Sequence, residues 1–344
     1  MKNLYLVSAV SLNPIKRLLT ELGAPIEALY EQALIPKKAL TDETIQISWM
    51  PVRNIFSIVA KKYHIKNIGF LLVENNSLSS VLPYFNFVTK NTNDIESALQ
   101  LFCDINKFTV NNVNLWLEKD NAGVWFCYAP LEYSFIGNDI IEEYSLAIMI
   151  EFIRYLTTPS WNAATIGLSR ASKHYEDNHY LQGAQLSFSQ PATRVLIEEK
   201  ILKQSINKNT TASISNAKTI NIDNFTSSMV EQLTMILLPY FEQFIPNIDD
   251  AAKITGLSKR SLQRYLKKEK LSYRNLIEQF RFEQAKTLLI DTDLTILQIS
   301  EKLHYSNYHN FSRAFSRWAN SSPTKFRSKN NQPNRIINKP FDNT

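Results

Sequence analysis

The sequence predicts an α+β N-terminal domain followed by an all-α C-terminal domain with two helix-turn-helix units joined by a long helix. Three observations predict it. Thr295 to Arg327 reads as helix, tight turn, helix and sharp stop, and Ile248 to Glu269 repeats the first three parts of that pattern. The basic charge gathers around both. Residues 251–330 hold 16 Lys+Arg against 6 Asp+Glu, a net of +10, whereas residues 1–250 sum to −5. A basic third beside a mildly acidic remainder is the electrostatic footprint of a polyanion-binding module attached to something else.

At 344 residues the length suits two domains, and 44 % apolar residues suffice for packed cores. Residues 3–35 read as two helices. Leu12, Ile15, Leu18, Leu19 and Leu22 keep helical spacing up to Gly23, a C-terminal stop, and Ala28 to Leu34 is a shorter piece. Ser48 to Lys62 is another amphipathic helix, with Pro51 in its first turn. A short apolar run, Phe70 to Val73, follows. Asn93 and Glu96 then have capping-box spacing for a helix through Phe102. Val113, Leu115 and Leu117 alternate with polar or outward residues, as do Val124, Phe126 and Tyr128, across the turn-rich Lys119 to Gly123. That is a β-hairpin. Asp139 to Thr157 is a long helix stopped before Pro159, and Ala164–Leu168, Leu186–Phe188 and Thr193–Ile197 read as short strands. The divisions are 1–202 for the α/β domain, 203–221 for a Ser/Thr/Asn/Lys-rich linker, 222–330 for the helical domain and 331–344 for a polar tail.

In the first C-terminal unit, Ile248 to Ile254 is a short helix, and Thr255-Gly256-Leu257 is the turn, with Gly256 free to go left-handed. Ser258 caps the second helix. Leu262, Tyr265 and Leu266 face inward there, and Arg260, Gln263, Arg264 and Lys267 face out. In the second unit Ile296, Ile299 and Leu303 form one apolar stripe, and Phe311, Phe315 and Trp318 form the next, with Ser306 read as the cap between them. Tyr308, His309, Asn310, Ser312, Arg313, Ser316 and Arg317 remain on or near the outer face, and Pro323 ends the element. A short helix bearing arginines and amides, propped on another, fits a major groove. Tyr273 to Asp291 lies between the units, a helix of about 28 Å. Successive major-groove faces on one side of B-DNA lie about 34 Å apart, so both second helices can face the same side of a duplex.

These residues carry a family resemblance. The segment 248–327, through GLSKRSLQRYLKKE and ISEKLHYSNYHNFSRAFSRWANSSPTKFR, resembles the DNA-binding domain of the AraC/XylS family of bacterial transcription regulators. Ile299, Leu303, Phe311, Arg313, Ala314, Phe315, Trp318, Pro323 and Arg327 fall where its signature asks for them. The chain from VSAVSLNPIKRLLTELG to about Leu202 resembles more weakly the arabinose-binding-like α/β effector domain of one branch of that family. The resemblance implies that Arg260, Gln263 and Arg264 read bases in the first unit. In the second it gives that role to Tyr308, His309, Asn310 and Arg313, while Ser258, Lys259, Lys267 and Ser306 meet phosphates. The implied partners are double-stranded DNA, RNA polymerase, an unidentified small-molecule effector and a second copy of the chain. The alternative is an effector-independent DNA-binding regulator whose N-terminal domain only dimerises or docks a protein. The chain departs from the family pattern at His304 and Asn320, which replace common glycines, and at Thr255, which replaces an apolar residue. The expected consequence is lower local stability with the fold intact.

Other classes find little support. Cys103 and Cys127 make no disulfide framework, so a reducing, cytoplasmic setting is expected, and both read as small buried hydrophobes rather than reactive thiols. The apolar start of the chain is too short for a signal peptide, and the run Tyr144 to Ile150 is far too short to span a membrane. His174, Glu176, Asp177 and His179 form the one metal-like cluster, but no helix fixes them as ligands, and no metal is expected. With seven glycines and no nucleophile elbow, phosphate loop or dinucleotide fingerprint, neither a cofactor nor an enzymatic activity is expected.

Overall fold

A computed structural model of the chain describes residues 4–76, 85–109, 113–130, 137–171, 178–206 and 228–330. Contacts divide it into two compact units, Met1–Pro239 with Lys253–Leu257 and Tyr240–Ala252 with Ser258–Thr344.

The N-terminus departs from the two-helix reading. Strand β1 (Leu6–Ser8) comes first, then a 3-10 turn, α1 (Asn13–Glu21) and α2 (Ile26–Gln32). The strand exists because its backbone pairs, antiparallel, with β2 (Gln46–Ser48), a partner that helical periodicity cannot reveal. Ser48 caps α3 (Trp49–Lys62) through the Met50 amide. The apolar run Phe70 to Val73 lies in α4 (Ile68–Glu74), too short a helix to show a period. After α5 (Phe85–Lys90), α6 (Ile95–Thr109) runs well beyond Phe102. It starts one residue later than the Asn93/Glu96 capping box requires, and Asp94 takes over as the cap, with Oδ1 accepting from the Ser97 amide (2.8 Å).

The hairpin is β3 (Val113–Asp120) and β4 (Gly123–Pro130), closed by two residues. Helix α7 (Asn138–Leu156) follows, then β5 (Thr165–Gly167), β6 (Gln185–Ser187), β7 (Thr193–Ile197) and α8 (Glu199–Leu202). The five strands form one sheet in the order β3-β4-β7-β5-β6, antiparallel except between β5 and β6. The core between sheet and helices is aromatic. The Phe102 ring stacks on Phe152 at 4.5 Å and meets Phe126 edge-on at 6.0 Å. Both cysteines are buried, and burial pushes the Cys127 thiol up to about 12, which keeps it protonated near neutral pH.

Helices α4 and α7 cross at Gly69, whose amide donates to the buried Glu143 carboxylate (3.2 Å). Arg170 bridges that carboxylate and the one beside it, Glu142, at 3.2 Å each, and Glu142 also accepts from Ser169 and Thr193. Burial pushes Glu143 above the usual carboxylate range, and Arg170 and Gly69 pull against that shift.

The remaining helices are α9 (Met229–Leu237), α10 (Ile248–Thr255), α11 (Lys259–Lys268), α12 (Tyr273–Asp291), α13 (Ile296–Lys302), α14 (Tyr308–Ala319) and α15 (Pro323–Asn330). The α+β then all-α architecture expected from the sequence is therefore present. Residues 207–221 of the expected linker and the tail 331–344 lie outside the described residues, as do His174, Glu176 and Asp177.

Candidate nucleic-acid interface

The first unit is α10, a turn and α11. Gly256 takes φ +71° in the turn. The Ser258 hydroxyl accepts from the Ser261 amide (3.1 Å), fixing where α11 begins. Leu262, Tyr265 and Leu266 are buried along one side of α11, and Arg260, Gln263, Arg264 and Lys267 are exposed along the other. Lys259 forms an ion pair with Asp249 in α10, an internal partner that a phosphate would have to displace.

The second unit is α13, a turn and α14. A reciprocal capping box between Thr295 and Gln298 starts α13. The turn passes through His304 at φ +55°, so the glycine position of the family is held here by a histidine in the same left-handed conformation. Asn320, the other departure, ends α14 left-handed at φ +50°. Thr255, the third, is buried at the end of α10.

The cap of α14 is Asn307 rather than Ser306. Its Oδ1 accepts from the Asn310 amide (2.9 Å), because the helix begins at Tyr308 and the cap is the residue directly before it. Ser306 instead accepts from Asn310 Nδ2 (2.8 Å), and Asn310 Oδ1 accepts from Arg313 Nη2 (2.6 Å). Three of the expected contact residues thus form a hydrogen-bonded ladder along one turn of helix, which holds the Arg313 guanidinium in place. Tyr308, 44 % exposed, lies beside His309 with the rings tilted and 3.9 Å between ring centres.

Beneath this surface Phe311 and Phe315 are fully buried with Ala285, Leu289, Ile299 and Leu303. Trp318 is only partly buried. Its ring lies 5.6 Å from Phe282 of α12, and its Nε1 points at Glu278 (3.5 Å). Glu278 also accepts from Arg317 (2.9 Å) and Arg274 (3.2 Å). Burial opposes its charge, yet Arg274, Arg317 and Trp318 together hold its carboxyl below the usual range. Arg317, read as an outward residue, is therefore tied to the joining helix. Sequence reasoning missed Glu278 because its partners in α14 lie 39 and 40 residues away. It missed Asn307 despite a good signal, an N-cap type residue next to the serine it chose.

Two capped helices with exposed arginines and amides, on either side of a 19-residue helix, define a class: regulators with paired helix-turn-helix readers. The comparisons agree. A family model described as "Helix-turn-helix domain" matches residues 251–329, and one described as "Arabinose-binding domain of AraC transcription regulator, N-term" matches residues 23–206, more than half of the chain. The chain belongs to the AraC family of transcription regulators.

It is 34 % identical over 82 residues to the HTH-type transcriptional regulator VqsM of Pseudomonas aeruginosa, covering 24 % of this chain and 25 % of that one. It is 30 % identical over 95 residues to the urease operon transcriptional activator of Escherichia coli, covering 27 % and 32 %. The match spans about a quarter of the length of the first of these curated relatives. The crystal structure of the transcriptional regulator CdpR from Pseudomonas aeruginosa aligns over 93 % of this chain and 98 % of that one, at 16 % identity and a TM-score of 0.41. Among the described residues no helix is long and apolar enough to cross a membrane, and no three His, Cys, Asp or Glu residues are grouped to hold a metal ion.

Proposed function

We propose that this regulator reads two successive major grooves of a duplex. Helix α11 does so through Arg260, Gln263 and Arg264, and α14 through Tyr308, His309, Asn310 and Arg313. Arginine binds guanine O6 and N7 with two hydrogen bonds, and glutamine or asparagine binds adenine N6 and N7 in the same way. Ser258, Lys259, Lys267 and Ser306, with the helix N-termini beside them, meet phosphate oxygens. The observation that supports this reading most is the pairing itself. Both helices expose these groups on the side away from their buried stripes, within one compact unit of basic character.

Arg264→Ala and Arg313→Ala are each expected to cost about 1–3 kcal/mol on a duplex selected from a random pool, and to relax sequence preference. Competition titrations with selected and random duplexes measure both. Equal losses on the two duplexes would rule out base readout by these arginines.

The N-terminal domain takes a small-molecule effector in this reading, and DNA-bound chains contact RNA polymerase, with a second copy of the chain as a further partner. A thermal-shift screen of metabolites and fatty acids on the full chain tests the effector, because a specific ligand stabilises by mass action. No hit across a broad library would favour the effector-independent alternative, in which the domain dimerises or docks a protein.

A further inference from the structure

The inference concerns how the two readers are held relative to each other, and it rests on the two-groove reading. One long helix, α12, joins them. A single helix leaves a joint at each end, residues 269–272 before it and 292–295 after it.

The structure adds a second connection. Residues 240–247 form a strap that leads into α10. Tyr273, at the start of α12, donates its hydroxyl to the Pro246 carbonyl (2.8 Å). Phe241, 7 % exposed, packs on Phe280 in the middle of α12 at 5.9 Å between ring centres. At the turn of the second unit, His304 Nε2 lies 2.8 Å from the Phe241 carbonyl oxygen, 63 residues away in sequence. A carbonyl oxygen can only accept, so Nε2 carries the proton in this contact. The next residue, Tyr305, lies under the Arg281 guanidinium of α12 (4.6 Å) and against Phe311 of α14 (5.6 Å).

The backbone at His304 sets the terms. At φ +55° a side-chain-bearing residue is strained and a glycine is not. Glycine would make the turn with less strain but would offer no donor to the strap. Histidine accepts the strain and spans the gap to Phe241.

We propose that His304 is a positioning residue that closes a second link between the readers. The turn of the second unit is bonded to the strap that feeds the first, and this fixes the base-pair spacing at which both readers engage DNA together.

The test uses the full chain and duplexes it selects from a random pool. Wild type should enrich a site with two elements. Changing the distance between them by one base pair moves one element by about 3.4 Å and a tenth of a turn, so wild-type affinity should fall about tenfold or more. His304→Gly removes the donor and the strain together. His304→Asn tolerates the left-handed turn, but its amide is too short to reach Phe241. Both variants should bind the off-spaced duplexes within about threefold of the correctly spaced one, and should bind the correctly spaced one about three- to tenfold more weakly than wild type does. Binding to a duplex carrying one element should match wild type, which shows that the readers are folded.

A wild-type spacing penalty in His304→Gly would overturn the proposal. So would an equal loss on the one-element duplex, which would place His304 in the folding of one reader instead. Failure of wild type itself to enrich a two-element site would overturn the two-groove reading and the proposal with it, before any variant is compared.

Discussion

Phe315→Ala is expected to destabilise the C-terminal helices by about 3–5 kcal/mol and to abolish specific duplex binding. Phe315 is fully buried in α14, 5.5 Å from Phe282 of α12, 5.8 Å from Phe311 and 5.2 Å from Phe326 of α15. It therefore ties its own helix α14 to α12 and α15 at once. Truncation loses the transfer free energy of the ring and leaves a cavity that three helices can only partly close. A whole domain is stable by only about 5–15 kcal/mol, so a loss of this size removes a large share. Trp318, the one tryptophan beyond residue 161, sits on the same cluster and reports its unfolding by fluorescence. A shift of its denaturation transition by less than about 1 kcal/mol would show that Phe315 is not the keystone of this core.

Gly69→Ala should destabilise the N-terminal domain by about 3 kcal/mol or more, while the Trp318 transition keeps its wild-type midpoint. An alanine Cβ there would meet Glu143 Cβ at 2.5 Å and the Tyr144 amide nitrogen at 2.7 Å, and would collide with the Ile140 carbonyl oxygen. Two of those atoms are backbone of α7, so no side-chain rotation relieves the clash, and α4 and α7 must part. Parting them also strips the buried Glu143 carboxylate of its Gly69 donor. The helix propensity gained by alanine, about 1 kcal/mol, is too small to compensate. The C-terminal core from Ala285 to Phe315 shares no residue with the N-terminal core, which is why its transition should stay put. Gly183→Ala is the comparison variant: nothing lies within 4 Å of that Cβ, so its cost is limited to the strain of alanine at φ +80°, about 1–2 kcal/mol. If denaturation midpoints for the two substitutions shift equally, the close approach of α4 to α7 is not what Gly69 provides.

Much of the C-terminal architecture was legible because the helices of both helix-turn-helices carry their own signals; Pro323, read as a stop, instead opens a further helix, α15. Ser258 marks a start, the stripes Leu262/Leu266 and Phe311/Phe315 mark buried faces, and Gly256 marks a turn. The hairpin β3–β4 was legible for the same local reason, alternation on both sides of a turn. Strand β1 was not, because three residues become a strand only when Gln46–Ser48 lie opposite. The caps were legible only to within a residue. Ser306 and Asn307 are both good N-cap residues, and only the structure shows that the helix starts after Asn307.

By itself, the sequence determined the fold class, the order of the two helix-turn-helices, the charge segregation and which side chains of α11 and α14 stay in water, since periodicity and capping are local properties of the chain. Tertiary structure alone decided the long-range partners. It placed Arg317 and Trp318 on Glu278, Glu143 on Gly69 and His304 on the Phe241 carbonyl. These pairs are separated by 39 to 74 residues, and no local pattern encodes a hydrogen bond across such a distance. Packing brings the two groups together, and where the pair is buried, as at Gly69 and Glu143, the absence of competing water makes the bond worth forming.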